Sequence, residues 1–357
     1  MSGGVATGSA GDAHEVDLAA AHQKHSLTRH ASKHTGIPGL HPAPERVRPA
    51  TARMLPAVTT LALLGAALSD EPATVVVEPP GTGTGFWAGG PSVVHDDGWF
   101  YLAYRLRRPV DQGRGYANVV ARSTDGIHFE PVATLSAETF ECASLERPAL
   151  IRRPDGGWRI YVSCSTFGSK HWWVEAVDTA PGGDIAELAT GARTVVLPGD
   201  AGSAWKDVVV TRDGDRWRMW ACEHLLDCGD DEADRMRTVY LTSTDGLSWT
   251  PGRVALGPTP QSWDARGVRV TSAWEADGRW LASYDGRASA AENWFERTGF
   301  AAGPAPDDLA PVAGPIDRDG HTLRYVSIAQ VAAGLRVYFE AQRPDGANDL
   351  RTVFVPS

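Results

Sequence analysis

The chain has 357 residues, 42% of them hydrophobic, with 34 basic and 44 acidic side chains and a formal net charge of -10. That is enough apolar material for one large domain or two ordinary ones, and the acidic balance argues against a nucleic-acid binder, which ordinarily carries a basic patch to displace counterions from phosphates. Abundant Gly (38) and Pro (24) with 13 Trp indicate many turns joining short aromatic-rich strands, so composition points to an all-β class.

Six of the 11 His fall between His14 and His41, in a stretch rich in Ala, Ser, Gly and charge and lacking apolar periodicity. Residues 1–54 therefore read as a disordered tail rather than a metal site. The run "MLPAVTTLALLGAALS" from Met54 to Ser69 is too short for a membrane, which needs about 20 residues. It lacks a clear small-x-small cleavage site, so residues 55–78 are expected to pack on the domain as a helix or strand. No membrane partner is implied, and a cytoplasmic location is the default. Cys142, Cys164, Cys222 and Cys228 form no Cys-x-x-Cys pattern and read as buried free thiols.

From residue 79 to 357 the chain repeats one unit: an apolar strand, a turn containing Asp or Gly, then an aromatic-led strand. The copies are "GPSVVHDDGWFYLAYR", "RPALIRRPDGGWRIYVSC", "KDVVVTRDGDRWRMWACE", "GVRVTSAWEADGRWLASYDG" and "YVSIAQVAAGLRVYFEA". Their turn-following residues, Trp99, Trp158, Trp217, Trp280 and Leu335, are 59, 59, 63 and 55 apart. Each copy reads as a β-hairpin, and an interval near 60 suits a four-stranded blade with long loops. Five copies predict a five-bladed β-propeller. The segments "STDGIHF" (Ser123–Phe129) and "STDGLSW" (Ser243–Trp249) stand two periods apart and read as equivalent tight turns whose aromatic wedges between blades.

Inner strands of a propeller surround a channel, and charges recurring at their ends are expected to share an aqueous cavity. Glu146-Arg147, Lys206-Asp207, Asp264 with Arg266, and Arg324-Tyr325 stand at the starts of first strands; Arg105, Glu223, Asp285 and Glu340 close second strands. Carboxylates and arginines around one pit suit glycosidic cleavage, in which one carboxyl protonates the leaving oxygen and another activates water or attacks carbon. Trp205 and Trp263, directly before Lys206 and Asp264, are candidates for stacking on a sugar ring at the channel mouth.

Taken with "GRGYANVVARSTDGIHF", "SLERPAL", "WKDVVV", "WDARGVRV" and "RVYFEAQRPDG", these segments resemble the five-bladed propeller glycosidases, most closely family 130 of the glycoside hydrolases, over residues 87–355. The resemblance implies a mannoside-like substrate. It also implies a proton donor at the Asp of a Glu-Asp-Pro-Arg segment, where this chain has Arg147, with Ala149 at the final Arg. Glu146 is then the nearest donor, Asp207 or Asp285 the partner that activates water, and Arg105, Arg147, Lys206 and Arg266 the holders of substrate. Asp285 replaces the family's His in Tyr-His-Gly and should oppose phosphate, which favours water as acceptor. The alternatives are a non-catalytic glycan-binding propeller and a phosphate-dependent phosphorylase. Neither cofactor nor metal is implied, and the oligomeric state stays open.

Overall fold

Strand Trp99–Arg107, "WFYLAYRLR", shows why the second strand of a repeat forms: aromatic and branched residues run through it without a breaker. The hairpin before it turns on Asp97-Gly98, and its counterpart later in the chain on Asp277-Gly278, all four residues having positive φ. That is the two-residue reversal whose twist matches the flanking strands. A computed structural model describes residues 56–226, 234–318 and 322–357. The tail expected over residues 1–54 and the thiol of Cys228 lie outside the described residues.

The fold is all-β, and its strand pairing resolves into five successive antiparallel units. Unit I comprises Trp87–Asp96, Trp99–Arg107, Gly115–Ser123 and Glu130–Ser136. Unit II has a divided first strand, Ser144–Leu145 and Ala149–Arg152, followed by Trp158–Ser165, Trp172–Asp178 and Ala192–Leu197. Unit III comprises Ser203–Asp213, Arg216–Leu225, Met236–Ser243 and Thr250–Leu256; unit IV comprises Gly267–Ala276, Arg279–Arg287, Arg297–Ala305 and Asp308–Ala313. Unit V takes Leu323–Val331, Gly334–Gln342 and Asn348–Pro356 from the end of the chain and Thr74–Val77 from before unit I. The first strand of each unit packs on the first strand of the next, and that of unit V packs on that of unit I. Contacts among the inner strands therefore close into a ring, and early and late chain segments share one sheet.

Helix Ala57–Asp70 covers the last unit. Leu64 and Leu68, one turn apart, are fully buried against Phe300, Val337, Phe339 and Val353. Each such leucine contributes about 2 kcal/mol of apolar burial, and at the helix start, where Pro56 offers no capping side chain, Asp277 Oδ2 accepts from the Ala57 N–H at 3.1 Å.

The repeated turns are structural devices. Asp125 Oδ1 accepts from the backbone N–H of Ile127 and His128, and Asp245 Oδ1 does the same for Leu247 and Ser248, at 2.7–2.9 Å. Each turn also reaches its neighbour. The Tyr338 hydroxyl donates to the Gly126 carbonyl (2.8 Å) and the Tyr161 hydroxyl to the Gly246 carbonyl (2.7 Å). Phe129 and Trp249 lie edge-on to those same tyrosines.

Candidate functional site

Every inner strand breaks its pairing near the same place. Register shifts fall between Gly89 and Ser92, Lys206 and Val209, Val270 and Ser272, and Arg324 and Ser327. In unit II the strand itself parts at 146–148, where Pro148 has no N–H to give. Such bulges bend a strand and re-aim its side chains. Asp207 (φ 51) and Tyr325 (φ 56) sit in two of them with left-handed backbones, a strained state for residues other than Gly.

Two cavities occupy the ends of the channel. One, of about 270 Å³, is lined by the later residues of all five inner strands, such as Val93, Leu150, Val209, Ala273 and Ile328, with Leu63 of the helix beside them. The other, of about 210 Å³, takes the starts of those strands, and the described residues on its wall include seven basic and three acidic side chains. The glycosidic chemistry expected from sequence needs ionisable groups, so the polar cavity is the candidate site.

Arg269 organises its floor. The guanidinium donates to Asp207 Oδ2 (3.2 Å) and Asp285 Oδ2 (3.1 Å) and stands 3.6 Å from Glu296. Although both Asp side chains are fully buried, their protons behave oppositely. For Asp207, burial favours the neutral acid, but Lys206, Arg269, Arg105 and Arg147 outweigh it and hold the carboxyl well below the usual range. For Asp285, burial prevails over Arg269, Glu296 adds repulsion, and its pKa is raised. The Tyr325 hydroxyl, kept protonated by burial, donates to Asp207 Oδ2 at 3.3 Å. Glu146 bonds Arg105; burial again pushes its carboxyl up, while Arg105 and then Lys206 overcome that and hold it below the usual carboxylate range.

Arg105, Glu146, Lys206 and Tyr325 all line the polar cavity. Asp207 and Asp285 lie just behind its wall, reached through Arg269 and Tyr325. Glu340 pairs with Arg324 at 2.7 Å behind that same wall, and Arg266 pairs with Asp234, a wall residue, at 2.5 Å. Glu223 is engaged by Arg237 and Ser203.

Five residues expected at the cavity lie elsewhere. Arg147 bonds the carbonyls of Pro91, Val208 and Thr271 and borders the other cavity, because the break at 146–148 turns it along the axis away from Glu146. Trp205 packs into the core between units II and III, strand alternation sending it opposite to Lys206. Trp263 stacks on Tyr284 at 5.4 Å, and Asp264 is buried beneath the Tyr284 hydroxyl, which donates to it at 3.0 Å. Asp285 does not face the cavity, so the repulsion of phosphate expected from it is not exerted at the wall.

Of the other wall residues, Trp87, Trp172 and Trp294 stand outside the repeat position, where sequence allows an aromatic face to stack on a sugar, whereas Arg107, Arg269, His224 and Glu296 were not singled out from sequence. Arg107 and Arg269 left a legible trace: Arg107 follows Arg105 at the two-residue spacing of one strand face, and Arg269 interrupts the buried pair Val268 and Val270. Trp294 and Glu296 come from a loop without periodic signal. His224 and Trp172, 4.8 Å apart, present ring nitrogens without hydrogen-bond partners among the described residues, and burial keeps His224 neutral.

No protein-family model and no curated protein matches this sequence. Solved structures do match in shape. A thermostable family-43 glycoside hydrolase superposes with a TM-score of 0.59 at 13% identity, covering 78% of this chain and 91% of its own. A β-1,2-mannobiose phosphorylase from Listeria innocua gives 0.51 at 14%, covering 79% and 94%. A structure from family 130, mannoside phosphorylases among which are hydrolases of β-1,2 mannosidic linkages in Candida mannan, gives 0.53 at 15%, covering 78% and 86%. The likeness is one of fold. At such identities it carries neither substrate nor reaction to this chain, and those must be argued from the cavity.

Proposed function

We propose that the chain is a glycoside hydrolase that cleaves a mannoside-like or related glycosidic bond in the polar cavity. The observation that carries this is the meeting of two strained bulge residues from different units, Asp207 and Tyr325, beside the wall carboxylate Glu146. Backbone strain concentrates where a side chain must be aimed. The proton states revise the roles expected from sequence. Glu146, held ionised by Arg105, is the group that activates water or attacks carbon. Tyr325 is the proton donor: its hydroxyl turns from Asp207 to the leaving oxygen and gives up its proton, the phenolate is held beside Arg269, and the proton that Glu146 takes from water restores it. Lys206 and Trp172, whose ammonium and ring are 4.7 Å apart, and neutral His224 hold sugar hydroxyls. A cytoplasmic setting fits the buried thiols of Cys142, Cys164 and Cys222. Among the described residues no helix is long and apolar enough to cross a membrane.

A second reading, a glycan-binding propeller without turnover, is favoured by one feature: Glu146 and Glu296 are both tied to arginines. Aryl mannosides, arabinosides and galactosides, incubated with and without phosphate, separate the readings. The hydrolase reading expects phosphate-independent release of the aryl group, with kcat lowered by about 10²–10⁴-fold in Glu146→Gln and in Tyr325→Phe. Binding without release supports the second reading, and release only with phosphate makes the acceptor phosphate.

A further inference from the structure

Three arginines surround the Trp87 indole, with guanidinium carbons 4.0 Å (Arg107), 4.6 Å (Arg324) and 5.6 Å (Arg105) from the ring centroid. Two of them have carboxylate partners, Glu146 for Arg105 and Glu296 with Glu340 for Arg324. Arg107 has none among the described residues. It is 5% exposed, its Nε and Nη2 lack any hydrogen-bond acceptor, and a second indole, Trp294, lies 4.7 Å away. Arg114 on the same wall also has an unpartnered Nε. Burial, then Arg105, lower the Arg107 pKa to about 10, which leaves it charged at neutral pH.

Buried charges are ordinarily paired, and an arrangement that crowds guanidiniums while leaving one without a counter-ion is incomplete. The unpartnered Nε–Nη2 edge is buried as the side chains stand, so a ligand reaches it only once Arg107 or a neighbouring indole shifts; it is the fork that makes two parallel hydrogen bonds to a carboxylate. We infer that Arg107 receives the carboxylate of an acidic sugar, so that the substrate class is a glycoside bearing a uronic-acid-type residue. The inference rests on the reading of this cavity as a sugar site, but not on cleavage there. The sugar's carboxylate would supply the missing counter-ion, with Trp87 and Trp294 shielding the pair from water, while the ring lies toward Glu146 and Tyr325.

Calorimetric titration of the full chain with glucuronate, galacturonate and mannuronate, each against its neutral parent hexose, tests this directly. At least one uronate is expected to bind about tenfold or more tighter than its parent, the gap closing to about twofold in Arg107→Gln. Because the exchange removes an unpaired buried charge, Arg107→Gln is expected to melt no earlier than the wild type. Should it fail to fold, Arg107→Lys decides: it keeps the charge, loses the fork and is expected to lose most of the preference. Equal binding of acid and parent, a preference that survives at position 107, or Arg107-dependent binding of inorganic phosphate with no uronate bound would overturn the inference. Uronate binding with no glycoside cleaved keeps it and removes the hydrolase reading. Cleavage of neutral aryl glycosides without any uronate preference does the reverse.

Discussion

Arg147 stands where the resemblance led one to expect a proton donor, and its surroundings make a different prediction. The guanidinium makes four hydrogen bonds to three carbonyls: Nε and Nη2 to Pro91 at 3.1 and 2.9 Å, Nη1 to Val208 at 3.1 Å, and Nη2 to Thr271 at 2.8 Å. These carbonyls belong to the inner strands of units I, III and IV, so one side chain from unit II ties together strands that share no backbone ladder there. Arg147→Met keeps much of the volume and leaves three buried acceptors open, at about 1–3 kcal/mol each. Two effects offset part of that loss. Water can enter from the adjoining cavity of about 270 Å³, and the fold no longer has to bury a cation whose pKa desolvation lowers to about 10. A net destabilisation of about 3 kcal/mol follows, or about 6 °C in Tm at about 2 °C per kcal/mol for a domain this size. Scanning calorimetry measures it. A variant melting within about 1 °C of wild type would refute the role as an inter-unit tie, and a loss of sugar affinity at unchanged Tm would return Arg147 to the binding site.

Further consequences concern the turns and the acid limb. At Gly126 (φ 72) an added methyl meets the Tyr338 hydroxyl at 2.9 Å, and at Gly246 (φ 70) it meets Trp217 at 2.8 Å. Gly126→Ala and Gly246→Ala should therefore each destabilise by about 1–3 kcal/mol in urea unfolding; neutral outcomes would mean the turns are not held by their neighbours. Glu296 is held at about 2, below the ordinary glutamate value of 4.5, because Arg269, Arg324 and Arg287 together outweigh burial. Its ionised form is the one the fold favours, so its stabilisation is complete above 4.5 and is lost as pH falls through about 2. Urea midpoints of Glu296→Gln should lie below wild type at neutral pH and fall less steeply between about pH 5 and pH 2, and parallel curves would contradict the assignment.

The repeat was legible in the chain because strand formation depends on local pattern. The residues marking the five turns, Trp99 to Leu335, lie at or one place after the starts of the second strands. The Ser-Thr-Asp-Gly segments likewise form turns from their own side chains, as their composition requires. Charge recurrence also picked out residues that lie together in space, since Arg105, Glu146, Lys206 and Tyr325 share one wall. Direction was another matter. A break in the strand turns Arg147 away from where it was expected, strand alternation sends Trp205 opposite to Lys206, and Trp263 lies in a loop whose course has no periodic signal. Proton states were equally hidden: Asp207 and Asp285 share Arg269, yet burial and neighbouring charges from other units drive their pKa values apart. Short-range chemistry thus determined the elements and their number, whereas side-chain aim and charge balance are sums over segments far apart in the chain, and only the closed ring brings those segments together.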